Sequence, residues 1–283
     1  ITALHGKLIE IITEAVNDPE KIDPEMYIGT TYLIPKKENA SHPKELRPIT
    51  CLPNIYKLLS KVIQTMISEL CDLNDTISSN QMGTRRRCQG AKQQALVNKN
   101  LNISNDNGLK TSWIDIQKAY DSVGHQYLEQ CLNKLNIPNN MIRFVQRMLK
   151  NQRTKLILNK EEIGIARIEK GILQGDSLSP QLFVIAMEPL SRILNRNCDK
   201  VQIYDTNFKR NHLIFIDDIK LLAKDEQDLQ ELCFYTKSCL KQMGFQVNEQ
   251  KSASNIDSEQ AFGEEIDNEK GYKYLGVLED SRN

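Results

Sequence analysis

His212-Leu213-Ile214-Phe215-Ile216-Asp217-Asp218-Ile219-Lys220-Leu221-Leu222 sets two adjacent carboxylates inside a run that is otherwise mostly apolar. The β-branched and aromatic residues on either side predict two short strands, with the Asp pair at the turn between them. Aspartate is depleted from strands and two neighbouring like charges repel, so a compensating partner is expected. A divalent cation is the simplest, because magnesium takes hard oxygen ligands. A third carboxylate at the end of another strand would complete a metal-dependent phosphoryl-transfer site. Asp115, in the strand-like run 111–116, offers it.

Working outward, helical periodicity is clear at 55–70, 123–135, 182–194 and 229–243, and the N-terminal Leu4, Leu8, Ile11, Ile12 and Ala15 have helical spacing too. Strand-like runs lie at 31–34, 111–116, 155–158, 163–168, 213–216, 219–223 and 245–247. Hairpins are expected at Lys160-Glu161 and at the Asp doublet, and a loop at 102–108. Strands and helices alternate without a regular βαβ rhythm, which favours α+β over a doubly wound parallel sheet.

The 283 residues suffice for one large domain or two smaller ones. With 40% hydrophobic and 26% charged residues the composition is that of an ordinary globular protein. No apolar stretch approaches the roughly 20 residues of a membrane span, so no membrane partner is expected. Seven cysteines without a CxxC pair fit reduced thiols in the nucleus or cytoplasm. The chain starts at Ile1 without a visible targeting signal and reads as a piece of a longer polypeptide. Thirty-seven basic and thirty-seven acidic residues cancel, which argues against nucleic-acid binding through overall charge. Distribution matters more: Arg85-Arg86-Arg87, and Arg143, Arg147, Lys150, Arg153, Lys155 and Lys160, are basic runs that either grip phosphates or form solvated faces. His5, His42, His125 and His212 are isolated, and none is read as a metal ligand.

In Trp113-Ile114-Asp115-Ile116-Gln117-Lys118-Ala119-Tyr120-Asp121, a strand runs into Asp115 and a helix is expected to begin near Asp121-Ser122. Tyr120 then lies across the floor of a pocket. In-line phosphoryl displacement with two metals needs carboxylates bridging ions about 3.5–4 Å apart, and Asp115, Asp217 and Asp218 supply them if their strands are adjacent.

These residues resemble the fingers and palm of a reverse transcriptase, most closely the enzymes of non-LTR (LINE-type) retrotransposons. Asp115 with Ala119-Tyr120-Asp121 matches that family's first catalytic motif. Gly171-Ile172-Leu173-Gln174-Gly175-Asp176-Ser177-Leu178-Ser179-Pro180 matches the second, and Phe215-Ile216-Asp217-Asp218 the third, with Ile216 where many members carry Ala, Met or Val. Gly244-Phe245-Gln246-Val247-Asn248 with Lys251-Ser252 matches the fourth and Tyr274-Leu275-Gly276 the fifth. Leu33-Ile34-Pro35-Lys36-Lys37 and Leu46-Arg47-Pro48-Ile49 resemble the fingers motifs. The series covers almost the whole chain in order, which makes it far more specific than any one motif.

The resemblance implies an α+β right-hand polymerase with an antiparallel palm sheet packed on helices, residues 1–110 mainly fingers and 111–283 mainly palm, and the thumb absent. It implies an RNA-directed DNA polymerase using two Mg2+ ions (Mn2+ as an alternative), an RNA template, a DNA primer or target DNA, and dNTPs. The thumb and endonuclease domains of the parent polypeptide are expected to be missing. Asp115, Asp217 and Asp218 are the implied catalytic residues and, with the Ile116 backbone, the metal ligands. Lys36, Arg47, Ile116, Ala119, Tyr120, Gln174 and Lys251 are the implied nucleotide-binding set, and Tyr274, Leu275 and Gly276 the primer grip. Plainer readings stand beside these roles. Arg47 pairs with Glu45 or Glu38, Lys37 replaces Lys36, Tyr120 packs in the core, Gln174 caps a helix, Lys251 is solvated, and Tyr274 packs in a hairpin. Two whole-chain alternatives remain: a reverse transcriptase of group II intron or retron-like lineage, and a domesticated remnant that binds RNA without catalysis.

Overall fold

The computed structural model describes residues 2–39, 42–105, 108–203, 206–266 and 271–280. In chain order come α1 (Thr2–Asn17), two 3-10 turns, β1 (Ile28–Pro35), a third 3-10 turn, β2 (Leu46–Cys51), α2 (Asn54–Leu73) and α3 (Ala91–Ile103). Then follow β3 (Lys110–Ile114), α4 (Ala119–Ser122), α5 (His125–Lys134), α6 (Asn139–Asn151), β4 (Arg153–Leu158), β5 (Glu161–Arg167) and α7 (Ser179–Asn197). The chain continues through β6 (Val201–Gln202), β7 (Lys209–Arg210), β8 (His212–Phe215), β9 (Asp218–Ala223) and α8 (Glu226–Met243). It closes with β10 (Ala253–Ser254), β11 (Glu264–Glu265), β12 (Tyr272–Tyr274) and β13 (Val277–Glu279). It folds as two compact units interleaved in sequence, 1–70 with 123–182 and 71–122 with 183–283.

In the first unit a four-stranded sheet runs in the order β2-β1-β4-β5, with β1 and β4 parallel and the other pairs antiparallel. Its core includes Tyr27, packed edge-on to Tyr56 at 5.7 Å, and the apolar face of α6. That face (Met141, Ile142, Phe144, Val145, Met148, Leu149) is buried because its apolar positions recur at helical spacing, a pattern hidden in the sequence by the interleaved basic residues.

The second unit carries a five-stranded sheet in the order β11-β10-β3-β9-β8. β10, β3, β9 and β8 each run antiparallel to the strand beside them; the two-residue edge strand β11 runs parallel to its neighbour. α8 packs on β3 and β9. Its start is capped by Asp225, whose side chain accepts the Asp228 N–H at 2.9 Å, and its end by Gly244 in the left-handed region. The two central strands are buried on both faces (Thr111, Ser112, Trp113, Ile114; Ile219, Lys220, Leu221, Leu222), which is why they read as near-continuous runs instead of alternating ones.

Two local expectations give way. Phe245–Val247 forms no strand: Val247 makes a single bridge to Ile116, and the segment is used up turning out of α8. The helix expected to start near Asp121 instead spans Ala119–Ser122 and stops there, with Gly124 in extended backbone before α5. Among the described residues no helix is long and apolar enough to cross a membrane.

Candidate active site

Strand register brings the aspartates together. β3 and β9 pair with Ile114 opposite Ile219, and β8 and β9 with Phe215 opposite Asp218. Asp115 therefore leaves the end of β3 beside the β8–β9 turn that carries Asp217 and starts Asp218. All three belong to the second unit. Their proximity is electrostatically visible. Burial pushes the Asp217 carboxyl above its usual range, with Asp115 adding to the effect. Burial, then Asp217 and Asp115, push Asp218 up to about 6.

Among the described residues no three His, Cys, Asp or Glu side chains form a group that would hold a metal by itself. The donor chemistry nonetheless fits magnesium, which takes one or two carboxylates and completes its shell with water and substrate phosphates instead of an all-protein cage. The raised acids point the same way, because clustered carboxylates that repel one another gain most from a divalent cation.

Asp115 is held by its backbone. Its N–H donates to Ser252 Oγ (3.1 Å) and its carbonyl accepts the Asn248 N–H (2.8 Å), while Ser252 Oγ donates to Asn248 O (2.9 Å). Lys251, exposed, is next to Ser252 in the same turn. Ile116 is buried and bridged to Val247, and Ala119 is buried at the start of α4. Tyr120 is half-buried, stacked on Phe183 at 5.1 Å, and its hydroxyl is pushed up to about 12 by burial and then by the Asp217 charge. The ring is thus both packed and within electrostatic reach of the carboxylates.

The β12–β13 hairpin turns at Leu275 and Gly276, both at positive φ, as a two-residue hairpin loop demands. Tyr274 is a core residue, packed with Trp113, Ala253 and Ile266, and its hydroxyl accepts a hydrogen bond from Gln94 Nε2 at 3.1 Å. Leu275 packs against that cluster and Gly276 is exposed. Tyr272, which the sequence did not single out, stacks on Trp113 at 5.4 Å. Its hydroxyl is pushed up to about 12 by burial, then by Asp115 and Asp218. Gln81, likewise unremarked, bonds to the backbone of Ile216. Neither lies in a periodic run, so only tertiary structure exposes them.

Lys36, Arg47 and Gln174 belong to the first unit. The Lys36 N–H donates to Glu45 O (2.8 Å), and Arg47 is exposed on β2 opposite Ile34. Lys37 forms an ion pair with Glu45 at 2.5 Å. Gln174 is exposed between Gly171 and Gly175, both at positive φ, and Gly175 lies against the Thr50 carbonyl. Asp176 anchors this loop by accepting from Tyr56 Oη (2.6 Å) and the Leu178 N–H (3.2 Å). Part of the Arg143–Lys155 basic run serves the fold: Arg143 donates to Asn17 O (3.2 Å) and Arg147 to Ile22 O (2.6 Å) and Glu20.

A family model described as reverse transcriptase (RNA-dependent DNA polymerase) matches residues 34–278. Over 231 residues the chain is 25% identical to a retrovirus-related Pol polyprotein from the type-1 retrotransposable element R2 of Nasonia vitripennis, covering 81% of this chain and 22% of that protein. It is 28% identical over 232 residues to the Pol polyprotein of the type-2 element R2DM of Drosophila melanogaster (79% and 21%). It is 24% identical over 254 residues to the 149 kDa protein of transposon TX1 of Xenopus laevis (87% and 19%). The chain spans about a fifth of the length of these relatives. Among solved structures, apo telomerase of Candida tropicalis truncated from its C-terminal domain aligns with a TM-score of 0.60 at 16% identity, over 84% of this chain and 51% of that one. Apo telomerase of the same organism gives 0.61 at 12% identity, over 91% and 48%. The shared fold is that of a right-hand polymerase. Matched over residues 34–278 by its model and akin to the R2 and TX1 proteins, the chain belongs to the reverse transcriptase (RNA-dependent DNA polymerase) family, as a domain of the non-LTR retrotransposon kind.

Proposed function

We propose that this chain copies RNA into DNA by adding deoxynucleotides from dNTPs to the 3′-hydroxyl of a DNA primer, as the polymerase domain of a retrotransposon protein. The observation that carries the proposal is the register that sets Asp115 beside the Asp217-Asp218 turn. The family works with divalent metal ions. Here we assign them as Mg2+, held by Asp115, Asp217, Asp218 and the Ile116 carbonyl, with Mn2+ as a substitute. When bound, such ions lower the pKa of an attacking hydroxyl and neutralise charge on the leaving pyrophosphate.

The chain's own residues do the rest. Arg47 offers a fork suited to bidentate contact with triphosphate oxygens, and Lys36 a point charge. Tyr120, braced by Phe183, presents its ring to the sugar and excludes a 2′-hydroxyl. Ala119, being small, leaves room beside it. Gln174 contacts the incoming nucleotide or template backbone where the two flanking glycines admit close approach. Lys251 supplies charge or a proton to the leaving group. Tyr274, Leu275 and Gly276 shape the turn that supports the primer end. Residues 1–110 act mainly as fingers and 111–283 mainly as palm, a functional division distinct from the interleaved compact units. The reduced thiols suit the nucleus or cytoplasm.

Primer extension on poly-rA with an oligo-dT primer, comparing the wild-type chain with Asp217→Ala, tests the reading. Mg2+-dependent incorporation by the wild type alone supports it; equal incorporation by both proteins removes the enzyme claim.

A further inference from the structure

We infer that Gln81 is a positioning residue for the carboxylate turn: its side-chain amide grips the Ile216 peptide and so sets where Asp217 and Asp218 leave the sheet. The inference rests on the polymerase reading of those aspartates. Gln81 is 2% exposed. Its Oε1 accepts the Ile216 N–H at 3.0 Å and the Gly83 N–H at 2.8 Å, and its Nε2 donates to the Ile216 carbonyl at 3.4 Å. Both backbone polar groups of the residue preceding Asp217 are therefore satisfied by one side chain.

The turn needs that support. Ile216 sits at φ 61°, the left-handed region that a β-branched residue rarely adopts. A β-branched residue held there persists only when its surroundings over-determine the backbone.

The support is itself anchored. Residues 80–82 lie alongside β8: the Ile214 N–H donates to Asn80 O (2.9 Å) and the Met82 N–H to Ile214 O (3.0 Å). Upstream, the buried Glu188 accepts the Ser78 N–H (2.8 Å) and Arg192 Nε (2.9 Å), and Arg192 also donates to Thr76 O (2.9 Å). Asn80 Nδ2 lies against the buried His212 ring at 2.9 Å. The strap presses directly on the turn. A Cβ added at Gly83 would fall 2.6 Å from Ile216 Cγ1 and 2.9 Å from Ile216 N, so glycine is the residue that lets the segment approach. One amide thus ties its own strap, through Gly83, to the peptide that precedes a carboxylate-bearing residue.

The test uses the 283-residue chain as wild type, Gln81→Met (similar length, no hydrogen bonds) and Gly83→Ala (amide kept, turn displaced). Three quantities are read: amide hydrogen exchange at Ile216, Mn2+ affinity by electron paramagnetic resonance, and dTTP incorporation on poly-rA/oligo-dT against Mg2+ concentration. Both variants should exchange the Ile216 amide faster and bind Mn2+ about 10–100-fold more weakly, the range for losing a partner that orients metal ligands. Incorporation should show lower kcat and a higher Mg2+ midpoint with an unchanged KM for dTTP, a split that general loosening of the fold would not give. Wild-type exchange and Mn2+ affinity in both variants would overturn the inference, as would a wild type that binds no Mn2+. A wild type that binds Mn2+ through Asp217 yet incorporates nothing would sink the polymerase reading, leaving Gln81 to be judged on exchange and binding.

Discussion

Replacing Glu279 by leucine should cost the second unit a large part of its stability, because this one carboxylate is shared by three buried donors. Lys220 is fully buried and the Glu279 side chain is 4% exposed, with Nζ and Oε2 3.0 Å apart. The same Oε2 accepts Trp113 Nε1 at 2.6 Å, and Oε1 accepts Asn98 Nδ2. Burial holds the Lys220 ammonium down to about 8, with Glu279 pulling against it. Removing the acid breaks a buried ion pair, which costs about 3–5 kcal/mol. That is a fifth or more of the roughly 5–15 kcal/mol a domain has in hand. Removing both charges in Lys220→Met/Glu279→Leu should recover much of the loss, leaving mainly the donors of Trp113 and Asn98 without an acceptor, about 1–3 kcal/mol for such a group. The two single variants together should therefore exceed the double by about 2–3 kcal/mol, the upper range for contacting residues. Urea unfolding followed by fluorescence measures this directly, since Trp113 is the single tryptophan and lies inside the cluster. Additive losses, or a Glu279→Leu penalty below about 1 kcal/mol, would refute the shared-carboxylate account.

Tyr120→Ala should raise ribonucleotide incorporation relative to deoxynucleotide; unchanged sugar discrimination in primer extension would make the Tyr120–Phe183 stack purely structural. His212, fully buried, has its pKa lowered to about 3 by burial, then by Arg210 and Lys200. The unfolded chain thus binds a proton below about 6.5 that the folded chain refuses, and stability falls as pH falls through that window, by about 2 kcal/mol between pH 7.5 and 5. Comparing urea stability of wild type and His212→Asn at the two pH values isolates this loss, and an equal drop in both would contradict it.

The hairpin strands of the five-stranded sheet are legible because their runs are apolar and their turn carries unusual residues, so 213–216 and 219–223 land close to β8 and β9. α6 does not stand out as a helix in the sequence, because Arg143, Arg147 and Lys150 interrupt its apolar face and only a 3.6-residue period reassembles it. For Arg143 and Arg147 the sequence leaves phosphate contact and a solvated face open: charge is visible in a sequence, but their acceptors, Asn17 and Ile22, lie more than a hundred residues away. Phe245–Val247 has strand-like residues, yet backbone pairing there stops at one bridge, since tertiary context overrides β propensity. The aspartates could be named from the pattern of their neighbours. Tyr272 and Gln81 cannot, and Ser252 is visible only as a motif position without a role, because what matters at those positions is a contact across the fold.

The anchors explain why a site built on short strand ends can be well defined. Strand register fixes where the chain emerges at Asp115 and Asp218, but it does not fix the direction of the loops beyond. Each loop is instead tied by hydrogen bonds to its backbone from a segment with no regular structure: Asp115 by the Asn248 N–H and the Ser252 side chain, and the Ile216-Asp217 turn by the Gln81 side chain. Bonds of this kind leave the carboxylates unencumbered, whereas a lysine or arginine salt bridge would neutralise the charge that a cation needs. The cost is visible in the raised Asp217 and Asp218 carboxyls and in the left-handed Ile216. Strain and repulsion are concentrated at one sheet end, with buried polar networks behind it holding them in place, and on the proposed reading that preorganises the carboxylates for a cation.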